Sequence, residues 1–382
     1  MDELTLLRST RDLTREPSRE ALMRGRAALV SQIDGELPVA LFAEVGEQTA
    51  FTPLKTRRRR RTVAWAGFSV LGAASVVVAL VATNVLGVAG WNGGAEPAAA
   101  SALRSAAAAA IQVSDPVVGP GQYLFVRTDG VYAGVGSLEE DADRIRAEGG
   151  DVQPSDEVAI LASTRGELYV PADRSDAWVW ITCTSQPSQT FGPRSERYAQ
   201  EYADAMNTYD LDVIRRFPGG ITPGGGSFGG YAEGTTTSID YDALPREPRP
   251  LLDTIYELNG NSGQSRDGQA LEWIISTLQW GIVPADFRAA LYKAAAEIPG
   301  VEITDDQATL DGSTGIAIGR LETASNTRQE FIIDPETGQY IGERRVTLDG
   351  YAGIPPGTVT GWTAVTTSVV ASAPTDAASC DG

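Results

Sequence analysis

The longest run of apolar positions lies near the start of the chain, from Val63 to Val88, where 26 consecutive residues carry no charge. About 20 such residues are enough to span a bilayer as a helix. Trp65 and Trp91 stand at the two ends of the run, where amphipathic aromatic rings favour the headgroup region. The pattern predicts a single transmembrane helix within residues 62–90 rather than a buried helix of a large soluble core.

The charges around this run predict its orientation. Five consecutive arginines precede it: Arg57, Arg58, Arg59, Arg60 and Arg61. The next basic residue after it is Arg104. Because positively charged flanks stay on the cytoplasmic side, we interpret the arginines as a topology signal, with residues 1–61 cytoplasmic and the C-terminal domain extracytoplasmic. About 60 residues precede the run, which favours a signal anchor in the cell membrane over a cleaved signal peptide.

Beyond the span, the pattern alternates between helical and strand periods. Residues 91–112 read as an alanine-rich linker and helix whose apolar face holds Leu103, Ala107, Ala110 and Ile111. An exported domain over 113–371 follows, and residues 372–382 form a tail. The predicted strands of the exported domain cover residues 122–128, 159–163, 166–170 and 177–184, with a turn at 164–166. A meander of hairpins is predicted between residues 301 and 366. Predicted helices begin near residues 195, 250, 267 and 284.

This order predicts an α+β fold: one transmembrane helix and an exported domain with a large curved antiparallel sheet and packed helices. The charged residues are also distributed differently before and after the predicted span. Residues 1–62 carry 12 basic and 9 acidic residues, whereas the remainder carries 19 basic and 41 acidic residues. An outer domain with a net charge of −22 repels phosphate backbones, so we expect no nucleic-acid partner.

The chain contains no histidine, which removes Ser-His-Asp and Cys-His catalysis and histidine-containing zinc sites. The acidic residues at 305, 306 and 311 do not follow the calcium-loop spacing. The glycine-rich stretch 217–231 lacks the Gly-Lys-Ser/Thr of a phosphate-binding loop, so we interpret it as a surface loop. A cell-wall hydrolase would need convergent carboxylates, and no local pattern places two together. We therefore predict no enzyme activity, no catalytic residues, no cofactor and no metal.

Two cysteines, Cys183 and Cys380, fall in the exported part, where disulfides persist. A bond between them would tie the C-terminal tail to the domain. Spacing alone does not place their Cα atoms within bridging distance, so paired and unpaired thiols both stay open.

Several stretches resemble known families. The MDELTLLR start, the arginine run with its span, LEWIISTLQWGIVPADFRAALYKAAAEIPGV and DPETGQYIGERRVTL are similar to a family of uncharacterised actinobacterial single-pass membrane proteins with an anti-sigma-factor-like layout. The exported part, with QYLFVRT and FIIDPETGQYIGERR, resembles the half-barrel domains of the lipoprotein-carrier (LolA-like) and RseB/MucB regulator group. That resemblance implies a curved sheet wrapped over helices. The chain lacks the His-x-x-x-Cys-x-x-Cys motif of zinc-containing anti-sigma domains.

The layout predicts a membrane-anchored, non-enzymatic envelope sensor or regulator. Its exported domain would bind a ligand or protein, and the short helices of residues 1–50 would contact a cytosolic partner such as a sigma factor, unless they are a poorly ordered tail. The alternative is a membrane-tethered half-barrel that binds a lipid or another apolar ligand. Four residues are candidates to line its cavity: Trp273, Ile275, Trp280 and Phe287.

Overall fold

The computed structural model of the protein describes residues 93–113, 115–208, 213–221, 241–260, 262–375 and 380. Over these residues the fold is α+β with a large antiparallel sheet, as the sequence predicts. No helix within them is both long and apolar enough to cross a membrane. The predicted span 62–90, its arginine run, the N-terminal helices and most of the glycine-rich stretch lie outside the described residues.

Six α-helices occur in the described part of the chain. They are α1 (Pro97–Gln112), α2 (Glu139–Ala147), α3 (Pro193–Thr208), α4 (Pro248–Asn259), α5 (Arg266–Gln279) and α6 (Ala285–Ala295). Proline in the first turn begins α4, and the Ser265 hydroxyl caps α5 by accepting a hydrogen bond from Gly268 N at 3.0 Å. Helix α2 lies in the connection between β1 and β2 and buries Ala142 alone.

Ten strands form the sheet. They are β1 (Tyr123–Gly136), β2 (Val158–Pro171), β3 (Ala177–Thr182), β4 (Gln186–Thr190), β5 (Val213–Pro218), β6 (Glu302–Leu310), β7 (Ser313–Glu322), β8 (Thr327–Ile333), β9 (Tyr340–Thr347) and β10 (Val359–Val370). Their order is β5-β3-β2-β1-β10-β9-β8-β7-β6, and β4 pairs with the free half of β2. The two halves of the chain are therefore joined by the antiparallel β1–β10 pair.

The predicted turn at 164–166 is wrong, because β2 runs through it without a break. Thr164, Arg165 and Gly166 each pair with a residue of β1, and Arg165 lies opposite Asp129. Arg165 Nε donates to Asp129 Oδ1 at 3.0 Å, so the turn-like residues satisfy one another across the two strands. Gly166 also leaves room for the Trp180 ring of β3, which would lie 2.9 Å from an added β-carbon.

Helices α1, α4, α5 and α6 pack on one face of the sheet and share a single core with its strands. Neighbouring strand residues such as Phe331 and Ile332 belong to separate clusters, because successive side chains point to opposite faces. Helix α1 buries Leu103, Ala107 and Ala110 in the main core. It is thus part of the same folded unit as the strands. Ile111, which was expected on this apolar face, is 58% exposed.

Candidate functional site

A cleft of about 170 Å³ lies where helices α5 and α6 meet the sheet. Strands β1, β2 and β10 contribute Leu124, Val170 and Val365 to its wall. The α5–α6 connection contributes Ile282 and Val283. We call it the Arg288 cleft, because that side chain provides its buried charge.

Arg288 is held in place by two hydrogen-bond partners, Asp115 and Val283. Its side chain is 8% exposed; Nη2 donates to Asp115 Oδ1 at 3.0 Å and Nη1 to the carbonyl of Val283 at 3.0 Å. The other oxygen of Asp115 accepts the backbone N–H of Ala285 at 2.8 Å, at the first residue of α6. A carboxylate is favoured there by the helix dipole. Arg288 Nε has no hydrogen-bond partner among the described residues.

Tyr340 contributes a second buried polar group to the cleft. Its ring is 8% exposed, and its hydroxyl has no hydrogen-bond partner within the described chain. Burial and the negative charge of Glu343 raise its pKa well above the usual value for tyrosine, so the hydroxyl stays protonated and can donate a hydrogen bond. An exposed arginine, Arg174, lies at the rim and makes no ion pair in the described part of the chain.

The turn before β9 positions Tyr340. Its sequence is Asp-Pro-Glu-Thr-Gly, within the predicted meander of hairpins, and it is closed by hydrogen bonds to Asp334: Oδ1 accepts Glu336 N at 2.8 Å and Oδ2 accepts the Thr337 hydroxyl at 2.7 Å. Gly338 follows at a positive φ of 67°. The hydroxyl of Tyr292, in α6, donates to its carbonyl at 3.1 Å. The turn is therefore fixed to the same helix that carries Arg288.

The four residues predicted to line a ligand cavity do not line this cleft. Trp273, Ile275 and Phe287 are 7%, 0% and 0% exposed and pack in the main core. Trp280 is half-buried, and its ring centre lies 5.8 Å from that of Trp180 on β3. These four residues were predicted from their hydrophobicity alone, and core residues share that property.

The sequence analysis missed Arg288, Asp115 and Tyr340. Arg288 carried a usable signal, because it follows Phe287 on the apolar face of a short helix that continues with Leu291 and Ala295. A charge at such a position is buried and must have partners. Its partner Asp115 is 173 residues away, so no local pattern connects the two.

A second polar group, the Glu343 cluster, lies where α5 crosses β9. It consists of Glu343 and Arg345 on β9 and Glu272 on α5, with Arg345 Nη2 at 3.4 Å from Glu272 Oε2. Burial, and then the nearby charge of Glu272, raise the pKa of Glu343 to about 7; the positive charge of Arg345 opposes this. No local pattern predicts that two acidic residues come together here, yet the fold brings Glu272 and Glu343 close.

This cluster can exchange a proton near neutral pH, which is a property of many catalytic carboxylates. Glu272 is, however, already engaged by Arg345. Beside them, Gln279 of α5 donates to the Thr363 hydroxyl at 3.2 Å, and Thr363 also bonds Tyr132. The described residues contain no group of three or more His, Cys, Asp or Glu arranged to hold a metal ion.

Cys183 and Cys380 form a disulfide, with Cα atoms 5.3 Å apart. Cys183 directly follows β3, and both cysteines pack against a cluster that includes Tyr169, Val179 and Ile181. The tail is attached further by Arg216, which donates to the carbonyl of Pro374 at 3.2 Å. The disulfide lies away from the Arg288 cleft and holds the chain terminus to the sheet.

No protein-family model matches the chain, and no curated protein matches it. The family resemblances inferred from the sequence therefore stay predictions. The cleft and the Glu343 cluster carry the functional argument on their own geometry.

Proposed function

We propose that the folded domain is the sensing part of a membrane-anchored, non-enzymatic regulator. It binds its ligand in the Arg288 cleft outside the membrane, and residues 1–50 contact a cytosolic partner such as a sigma factor. The single observation that carries this proposal is a cleft lined by Arg288 and Tyr340, two buried side chains whose Nε and Oη atoms have no hydrogen-bond partner among the described residues. Buried polar groups are ordinarily paired, so such atoms mark a place where another molecule binds.

Helix α6 supports a connection between the cleft and the anchor. Arg288 lies in its first half, and Ala296 directly follows its end. There the carbonyl of Ala296 accepts the backbone N–H of Ala95 at 3.1 Å, and Glu96 N donates to Val301 O at 2.8 Å. Residues 95 and 96 are where the chain enters the domain from the proposed membrane span. The eight residue steps from 288 to 296 correspond to roughly 12 Å of helix, so one rigid element links both places.

The alternative function, a lipid-carrying half-barrel, has less support. A curved sheet over helices is part of the proposed architecture, but helices fill the face on which a lipid would lie. The cleft of about 170 Å³ is smaller than the roughly 300–1,000 Å³ of common ligand pockets. A whole acyl chain does not fit this space, whereas a compact ligand does.

The deciding experiment is a crosslinking pull-down from membranes with the intact protein and a variant lacking residues 2–50. A matched control keeps the length and the five arginines but scrambles residues 2–50, so that insertion and topology are retained. We expect a cytosolic protein to be recovered with the intact chain and lost from both variants. Equal recovery from all three would overturn the regulator proposal and leave the exported domain as a binding module only.

A further inference from the structure

We propose that the ligand of the Arg288 cleft is a small monocarboxylate that carries one compact apolar group. This inference rests on the proposed function, in that the cleft is taken as the ligand site, and it adds the chemical class of the ligand. Three properties of the cleft support it: the kind of polar atoms left unpaired, the sign of the charge, and the size of the apolar space.

The unpaired atoms are hydrogen-bond donors. Arg288 Nε can only donate, and the neutral hydroxyl of Tyr340 has a proton to give. The carboxylate of Asp115 is already occupied, because one oxygen accepts from Arg288 Nη2 and the other from Ala285 N. The cleft therefore presents donors, and its ligand must bring acceptors.

The charge favours an anion with a single negative charge. Asp115 neutralises Arg288, whereas Arg174 at the rim has no ion-pair partner among the described residues. The charged residues that line the cleft, Asp115, Arg174 and Arg288, thus have a formal net charge of +1, in a chain whose net charge is −19. A carboxylate supplies one negative charge and two acceptor oxygens in a plane, which matches arginine donors.

The remaining space is small, and apolar side chains form part of its lining. Leu124, Val170, Leu278 and Val365 form its wall, within a volume of about 170 Å³. An engineered apolar cavity of about 150 Å³ in another protein accepts one benzene ring. The apolar part of the ligand is therefore the size of one ring or of a short branched chain, and nucleotides or intact lipids are too large.

The test is isothermal titration calorimetry of the purified full-length protein in detergent. The probes are phenylacetate, 3-methylbutanoate, the neutral isostere phenylacetamide, and inorganic phosphate. We expect saturable binding of the two acids, with phenylacetamide at least tenfold weaker and phosphate not bound. Equal binding of acid and amide, preferential binding of phosphate, or no saturable binding of either acid would overturn the proposal.

Three variants assign the binding to the cleft. Tyr340→Phe and Arg288→Met each remove one donor, and we expect a tenfold to hundredfold loss of affinity for phenylacetate. Arg288→Met also leaves Asp115 unpaired and is expected to lower stability. The exposed Arg174→Met is therefore the third variant, with an expected threefold or greater loss of affinity that shrinks at high salt. Arg146→Met, on exposed α2, is the matched control and keeps full affinity. Affinity unchanged in Tyr340→Phe and Arg174→Met would overturn the assignment.

These outcomes are separable from those of the regulator proposal. If the acid and the amide bound the cleft equally, the difference in pull-down recovery between the intact and the deleted chain would be unaffected. Only the proposed ligand class would then be wrong. Identical pull-downs combined with selective acid binding would remove the regulator and keep the carboxylate site.

Discussion

The backbone of Gly338 lies directly against that of Ala106 in helix α1, so that a β-carbon on Gly338 would be 2.3 Å from the Ala106 carbonyl oxygen. Gly338 ends the turn that leads to Tyr340, and its φ of 67° is one that side chains disfavour. Glycine is therefore required here for two separate reasons. The contact joins helix α1 to the turn before β9, the strand that contributes Tyr340 to the cleft.

Replacing Gly338 with alanine tests this contact. We expect Gly338→Ala to lower the free energy of unfolding by about 2–4 kcal/mol, because strain at positive φ adds to a clash with helix backbone that cannot move away. The control is Gly312→Ala, where φ is also positive, at 80°, but an added β-carbon meets nothing within 4 Å. It should lose only about 1 kcal/mol. Urea unfolding measures both, and equal losses would show that the contact with α1 is unimportant.

The ion pair of Asp115 and Arg288 leads to a second prediction. Asp115→Ala leaves a guanidinium that is 8% exposed without its carboxylate and removes the acceptor for Ala285 N. We expect a loss of about 1–2 kcal/mol in unfolding free energy, reduced from the fully buried case because Asp115 is 41% exposed. Asp253→Ala, which breaks an exposed pair with Arg249 on α4, should cost under about 0.5 kcal/mol. A loss at Asp115 no greater than at Asp253 would contradict the structural role of this pair.

Local sequence signals predicted most strands and helices because the apolar alternation and the caps act within a few residues. The turn at Asp334 is such a case, since its side chain bonds residues two and three positions further on. The false turn at Arg165 shows the limit. Arg165 and Asp129 are turn-like in isolation, and the strand is continuous because each satisfies the other across 36 residues.

The cleft was less predictable than the fold for the same physical reason. Its polar members come from separate parts of the chain: Asp115 precedes the first strand, Arg288 is in the last helix and Tyr340 begins β9. Only the pairing of β1 with β10 and the packing of α6 bring them together. Residues chosen for hydrophobicity, such as Phe287, were placed in the core instead.

The disulfide between Cys183 and Cys380 gives a third prediction. It closes a chain separation of 197 residues, and cross-links of long loops typically contribute about 2–5 kcal/mol by restricting the unfolded state. The double variant Cys183→Ser/Cys380→Ser should therefore unfold at lower guanidinium concentration than the oxidised protein. Reduced native protein should match the variant, and reductant should leave the variant unchanged. Coincident midpoints for oxidised and reduced native protein would contradict a stabilising bond.

The Glu343 cluster predicts how stability depends on pH. The pKa of Glu343 rises from 4.5 to about 7 on folding, so the folded state binds its proton more tightly than the unfolded state does. The stabilising effect of the proton is complete below about pH 4.5 and is lost as pH rises through 7. We expect this group to lower stability by about 1–3 kcal/mol between those limits, a range set below the full value of the pKa shift because the side chain is half-buried.

Glu343→Gln isolates this effect, since glutamine keeps the shape of the protonated acid. At pH 8 the variant should be more stable than the native protein by about 1–3 kcal/mol, a range that already includes the attraction of Glu343 to Arg345; at pH 4.5 the two should be equal. Glu336→Gln, at an exposed turn position, is the control and should follow the native curve at every pH. Carboxylates whose pKa is lowered on folding, such as Asp129 and Asp305, stabilise the fold when they are ionised. This effect is lost only below about pH 4, outside the pH range compared here. Urea midpoints between pH 4.5 and 8 make the comparison, and parallel curves for native protein and Glu343→Gln would show that Glu343 ionises normally in the folded domain.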